Sequence, residues 1–220
     1  MPFENLSIHL GEDVVLEDDA LVDKVVGRHR GGFCYELNGA FAALLRDLGH
    51  DVELLAARAH HGDGRLGPPY DHLALRVDGT WLADVGFGRF AVEPLRLDTD
   101  GEDQADPGGT FRLVGTPEGD VDVLHDGVPQ YRLELRPRQL GDFEATAWWH
   151  RTSPDSHFTQ SLVCSRLTDT GRVTLSDHLL VRTVGGERTE RTLETDDEVL
   201  AVYRDEFGIN LPAAPSRSPR

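Results

Sequence analysis

The chain has 220 residues, a hydrophobic fraction of 39% that allows a sizeable core, and a formal charge of −17 from 39 acidic against 22 basic residues. That balance argues against nucleic acid or an anionic membrane as a main partner. No apolar run is long enough to cross a bilayer and the first residues lack a signal-peptide pattern, so a cytoplasmic location is expected. Two cysteines, Cys34 and Cys164, exclude a disulfide-dense scaffold and make structural zinc improbable, and the ten histidines form no HExxH; no metal is expected. The single lysine, Lys24, reads as coding bias with no site attached.

In chain order, a short helical pattern at Leu21, Val22, Val25 and Val26 leads to Gly27. After Arg30-Gly31-Gly32 comes the clearest helix, with Leu37, Phe41, Leu44 and Leu48 on one stripe and Gly49 as its stop. Strands are expected at Val52–Arg58, at His72–Val77 and Thr80–Val85 around an Asp78-Gly79 turn, and on either side of His125-Asp126-Gly127. Residues 98–109 read as an exposed loop, and Asp142 starts a short helix through Trp148-Trp149. Strands follow at Thr159–Leu167, Arg172–Leu175 and Leu179–Val184. A capping box, Thr195-Asp196-Asp197-Glu198, then opens a helix through Phe207. The fold class is α+β: a helical lobe over 1–49, an antiparallel β middle over 50–152, a mixed segment over 153–211 and an unstructured tail over 212–220.

Cys34 stands at the first turn of the clearest helix, where free N–H groups and the helix dipole favour a thiolate. Gly31 and Gly32 would leave room for a substrate carbonyl, and the N–H groups could form an oxyanion hole. Cys164, in the apolar stretch Ser161-Leu162-Val163, is assigned to the core. A thiolate nucleophile needs an imidazole, and the imidazole an orienting acceptor. A two-residue loop would set His72 opposite Val85, with His72 and Asp84 on different faces. A three-residue loop, Val77-Asp78-Gly79 with Gly79 left-handed, sets His72 directly opposite Asp84. Asp84 lies within Leu82-Ala83-Asp84-Val85-Gly86, a poor place for an unpaired carboxylate.

Arg30-Gly31-Gly32-Phe33-Cys34-Tyr35-Glu36-Leu37-Asn38 resembles the active-site motif of the arylamine N-acetyltransferases. Asp71-His72-Leu73-Ala74-Leu75 resembles the family's histidine strand, and Trp81-Leu82-Ala83-Asp84-Val85-Gly86-Phe87-Gly88 its aspartate strand and glycine turn. Pro2-Phe3-Glu4-Asn5-Leu6 and Ser153-Pro154-Asp155-Ser156-His157-Phe158 fit family segments as well.

The resemblance implies a cysteine-protease-like core with a helical first lobe, a β-barrel middle and an α/β lid. It implies acetyl transfer from acetyl-CoA, a cosubstrate and not a tightly bound cofactor, to arylamines or arylhydrazines. Cys34 would be the nucleophile, His72 the acid and base, and Asp84 the orienting carboxylate. Phe87 would be a pocket wall or a core residue, with Gly86 and Gly88 lining the approach. Arg30 and Glu36 are read as a structural ion pair bracing the helix start. Relatives normally carry a helical segment before the Pro2-Phe3-Glu4-Asn5 stretch, so Met1 marks either a misassigned start or a shortened variant; the upstream DNA would decide. Competing readings are an amide synthase of the same family, a thiol hydrolase, and an inactive binding remnant. Oligomeric state is left open.

Overall fold

A computed structural model describes residues 1–217, which form two antiparallel sheets with helices against them. The helical start holds a two-residue strand β1 (Phe3–Glu4), α1 (Leu6–Leu10), α2 (Asp18–Val22) running into a π-turn over Asp23–Gly27, and α3 (Cys34–Asp47). The middle supplies β2 (Val52–Ala59), β3 (His72–Val77), β4 (Trp81–Ala83), β5 (Leu95–Arg96), β6 (Asp103–Asp106), β7 (Gly109–Gly115), β8 (Val121–His125) and β9 (Val128–Arg138). These strands make a barrel-like sheet in the order β5-β4-β3-β2-β9-β8-β7-β6. A 3-10 turn (Leu140–Phe143), α4 (Glu144–Thr152) and α5 (His157–Gln160) lead to β10 (Val163–Thr168), β11 (Gly171–Ser176), β12 (Leu179–Val184) and β13 (Glu187–Thr192), and α6 (Asp196–Phe207) follows.

The centre of β2, Leu54 to Ala57, is an apolar run because both its faces are covered. Leu54 and Ala56 join the core beneath α3, and Leu55 and Ala57 join the core inside the barrel. β3 divides the same way, with Leu73 and Leu75 on the α3 side and Ala74 on the barrel side.

The periodic stripe on α3 forms a helix as expected, but only its first half is core. Leu37 is buried, whereas Leu44 and Leu48 are 52% and 65% exposed. They gain little of the roughly 1.5–3 kcal/mol that full burial of such a side chain supplies. Leu44 and Phe41 instead line a cavity of about 690 Å³ shared with Val22, Val25 and Val26 and reaching Asp84 and Gly88.

Several local expectations change. The loop at 98–109 contains β6, and Thr159 falls in α5 rather than in a strand. β1 pairs with β10, Phe3 opposite Ser165 and Glu4 opposite Cys164, so the first residues belong to the C-terminal sheet. Thr195 caps α6 by accepting from Glu198 N–H at 3.3 Å, and the Glu198 carboxylate reaches Glu194 N–H at 2.7 Å. In the segment expected to be unstructured, Arg217 pairs with Asp177 at 2.6 Å; residues 218–220 lie outside those described.

Candidate active site

Cys34 opens α3 and is 4% exposed. Glu36 accepts the Phe33 N–H at 3.2 Å, which fixes the turn into the helix. The N–H groups of Cys34 and Tyr35 have no acceptor within the helix, as first-turn donors never do. The two glycines before the helix are required by the fold. A Cβ on Gly31 would stand 1.9 Å from the Pro2 carbonyl, and one on Gly32 would stand 2.6 Å from Glu36. The β1 strand lies against this turn, and its Glu4 N–H donates to the Gly32 carbonyl at 2.9 Å.

His72 Nε2 lies 2.7 Å from Asp84 Oδ2, with both side chains almost fully buried. Nδ1 is then the nitrogen left for Cys34, whose thiol acts on the charge of the ring. Burial disfavours the charged ring, but Asp84 and Cys34 outweigh it and raise His72 to about 10. The geometry therefore favours an imidazolium beside the Cys34 sulfur. The hairpin that joins the two residues differs in register from the expectation. Val77 faces Trp81 and Leu75 faces Ala83, so the loop is Asp78-Gly79-Thr80 and the rung partner of Asp84 would be Ala74. Odd loop length still keeps His72 and Asp84 on one face, and they meet diagonally. The shift follows from Asp78, which shares the left-handed region with Gly79 and is anchored by His50 and the Asp51 N–H.

Asn38, one turn along α3 from Cys34, was quoted in the motif without a role. Its Nδ2 donates to Asp84 Oδ1 at 2.9 Å and its Oδ1 accepts the Val85 N–H at 2.9 Å. Gly86 N–H donates to the same Asp84 oxygen at 2.9 Å. Thus one oxygen of Asp84 is held by α3 and the glycine turn, and the other is left for His72. The four-residue spacing from Cys34 to Asn38 was the available signal.

Gly86 packs where no side chain fits: a Cβ would be 2.7 Å from Cys34 Cα. Gly88 has φ +84 and borders the cavity. Phe87 stands edge-on to His72 at 5.0 Å between centroids and at the same distance from Tyr131. It thus packs with the barrel core and also covers the imidazole. Tyr131 is buried, and burial with the nearby Asp84 charge pushes its phenol well above the usual range; its hydroxyl makes no hydrogen bond of ordinary geometry.

Arg30 and Glu36 do not pair with each other. Arg30 binds Glu4 at 3.0 Å and Glu12 at 3.2 Å, while Glu36 binds Lys24 at 2.5 Å. Lys24 is therefore a buried structural cation, also bonded to Ser7 Oγ at 2.8 Å, and not a bystander. Cys164 is fully buried, and burial pushes its thiol well above the ordinary value.

A thiol at a helix start beside a carboxylate-held imidazole, on a helix-and-barrel core of cysteine-protease type, is the arrangement of a thiol-centred acyl-transfer enzyme. An N-acetyltransferase family model matches residues 1–215. The arylamine N-acetyltransferase of Escherichia coli K12 is 34% identical over 97% of this chain and 79% of its own length. That of Mycolicibacterium smegmatis is 35% identical over 96% of this chain and 81% of its own. The solved M. smegmatis enzyme superposes with a TM-score of 0.85 at 33% identity, covering 96% of this chain and 81% of that one. The Mycobacterium marinum enzyme in complex with CoA gives 0.84 at 32% identity, covering 96% and 82%. The chain belongs to the arylamine N-acetyltransferase family.

Proposed function

We propose that the protein transfers acetyl from acetyl-CoA to the nitrogen of an arylamine or arylhydrazine through a thioester on Cys34. The observation that carries this reading is His72 placed between Cys34 and Asp84, with Nε2 committed to the carboxylate at 2.7 Å. The Cys34 thiolate attacks the thioester carbonyl, forming a C–S bond; the tetrahedral intermediate collapses, and the CoA thiolate leaves with the proton from His72. A neutral amine then attacks the acetyl-enzyme and gives its proton to His72 as Cys34 is expelled. Asp84 holds the ring and stabilises its charge throughout. The free N–H groups at the start of α3 are suited to the oxyanion, and Phe87 with Gly86 and Gly88 to the wall of the acceptor pocket. Arg172, with Arg89 nearby, has no carboxylate partner among the described residues and is a candidate for a donor phosphate. Work in the cytoplasm is part of this proposal; no helix among the described residues is long and apolar enough to cross a membrane.

Incubation with acetyl-CoA alone, followed by peptide mass spectrometry, tests the reading. One acetyl group should accumulate on Cys34, and an added arylamine should discharge it as the amide. Cys34→Ala should take up none while Cys164→Ala stays active. Discharge to water at the same rate without amine would indicate a hydrolase, and labelling elsewhere than Cys34 would overturn the assignment.

A further inference from the structure

Next to His72 in sequence lies a second buried carboxylate–imidazole couple. Asp71 Oδ1 is 3.0 Å from His150 Nε2, with the side chains 9% and 2% exposed. The approach lies off the line of a well-aligned hydrogen bond. The second oxygen of Asp71 accepts the Ala59 N–H at 3.1 Å. It also occupies the place a side chain at Gly67 would need, 2.0 Å from such a Cβ.

The backbone of the same residue reaches the thiol. The Asp71 carbonyl accepts from Tyr35 Oη at 3.1 Å and lies 4.0 Å from Cys34 Sγ. Tyr70, just before it, has φ +62, so this entry into β3 is held in a conformation that residues with side chains rarely adopt. Whatever fixes Asp71 therefore fixes the spacing between Cys34 on α3 and His72 on β3.

His150 comes from α4, 79 residues further along the chain. Its ring packs on Phe158 at 5.1 Å and Tyr35 at 6.1 Å, and its Nδ1 is 3.4 Å from Ser156 Oγ. The titratable groups facing it are Asp71 just before β3, Tyr35 on α3 and His157 on α5, with His61 near His157. Burial works against the Asp71 charge, but His150 and the Ala59 N–H hold its carboxyl below the usual range. Burial, with His150 close by, pushes His157 down.

We propose that His150 is a positioning residue: its buried contact with Asp71 clamps the Tyr70-Asp71-His72 backbone against α3 and sets the Cys34–His72 spacing. The role rests on the acyl-transfer reading of Cys34. An ionised carboxylate buried beside the thiol without this polar partner would pull the backbone toward water or repel the thiolate. Small displacements of reacting groups are costly to rate.

The test compares His150→Phe, which keeps the ring volume, with His150→Gln, which keeps an N–H donor, and with Asp71→Asn. The first readout is the rate of Cys34 alkylation by iodoacetamide over about pH 5 to 9, which requires no acyl donor. The second is steady-state acetylation with acetyl-CoA, and the third is thermal melting. In His150→Phe, kcat should fall on the order of ten- to a hundredfold with donor KM within about twofold. Its alkylation curve should move to higher pH, and His150→Gln should recover part of both. An alkylation curve unchanged in folded His150→Phe would overturn the proposal. If that variant fails to fold, an unchanged curve in both His150→Gln and Asp71→Asn would overturn it equally. A wild-type enzyme that alkylates in a His150-dependent way but never forms acetyl-Cys34 would sink the acetyl-transfer reading and uphold the clamp.

Discussion

Nε2 of His72 and Oδ2 of Asp84 lie 2.7 Å apart although the hairpin does not set these residues on the same rung. The diagonal is possible because Asp84 lies just beyond β4 and is steered by Asn38 and Gly86, not by strand pairing. Asp84→Asn should retain the fold but leave the imidazole without its charge partner. Turnover should drop by roughly 10³–10⁴, measured as steady-state acetylation, with CoA binding by calorimetry little changed. A variant within tenfold of wild type would remove Asp84 from its role.

Stability should depend on pH through His72. In the unfolded chain the ring has its ordinary value, 6.5, and in the folded protein it rises to about 10. The folded state therefore binds more protons between these limits, and stability falls as pH rises through them. The contribution is fully present below pH 6.5 and lost above about 10. Urea titrations from neutral pH upward should show this decline, and His72→Gln should flatten it. A parallel slope in the variant would mean that other groups govern it.

Gly86→Ala offers a separation of rate from folding. The added Cβ would meet Cys34 Cα at 2.7 Å and Cys34 O at 3.0 Å, both backbone atoms that have no rotamer to yield. The destabilisation expected for such overpacking is about 1–3 kcal/mol. The loss in kcat should exceed what the unfolded fraction explains, because the nucleophile's own backbone must move.

Lys24→Met should destabilise the protein by about 3–5 kcal/mol, since Glu36 would be left buried without a counter-charge. Adding Glu36→Gln should restore much of that, as an amide oxygen can still accept the Phe33 N–H. Chemical denaturation of the two variants checks it; equal stability of the single and double variants would refute it.

What could be read in the sequence was local. The start and stop of α3, the order Cys34, His72, Asp84 and the odd hairpin loop followed from glycine placement and from apolar runs. What could not be read depends on partners distant in the chain. The exposure of Leu44 and Leu48 follows from what packs against α3, which periodicity does not report. The partners of Glu36 and Arg30 come from Lys24 and Glu4, so two charges adjacent in a motif diverge in space. Asp71 and His150 carry no shared pattern, and only the fold brings them together.

β1 bears on the order of events during synthesis. Its two residues hydrogen-bond to the Gly32 turn on one side and pair with Cys164 and Ser165 on the other. These two residues must therefore wait, unpaired, until some 160 more have left the ribosome (Phe3 faces Ser165). Such a long-range pairing closes late, because the entropy of the intervening loop is met only when both ends are present. The turn that presents Cys34 is then completed by the last sheet to form, and a nascent chain halted before β10 would hold its thiol in an unfinished setting. Maturation of the nucleophile is in this sense a check that the chain has been made as far as β10.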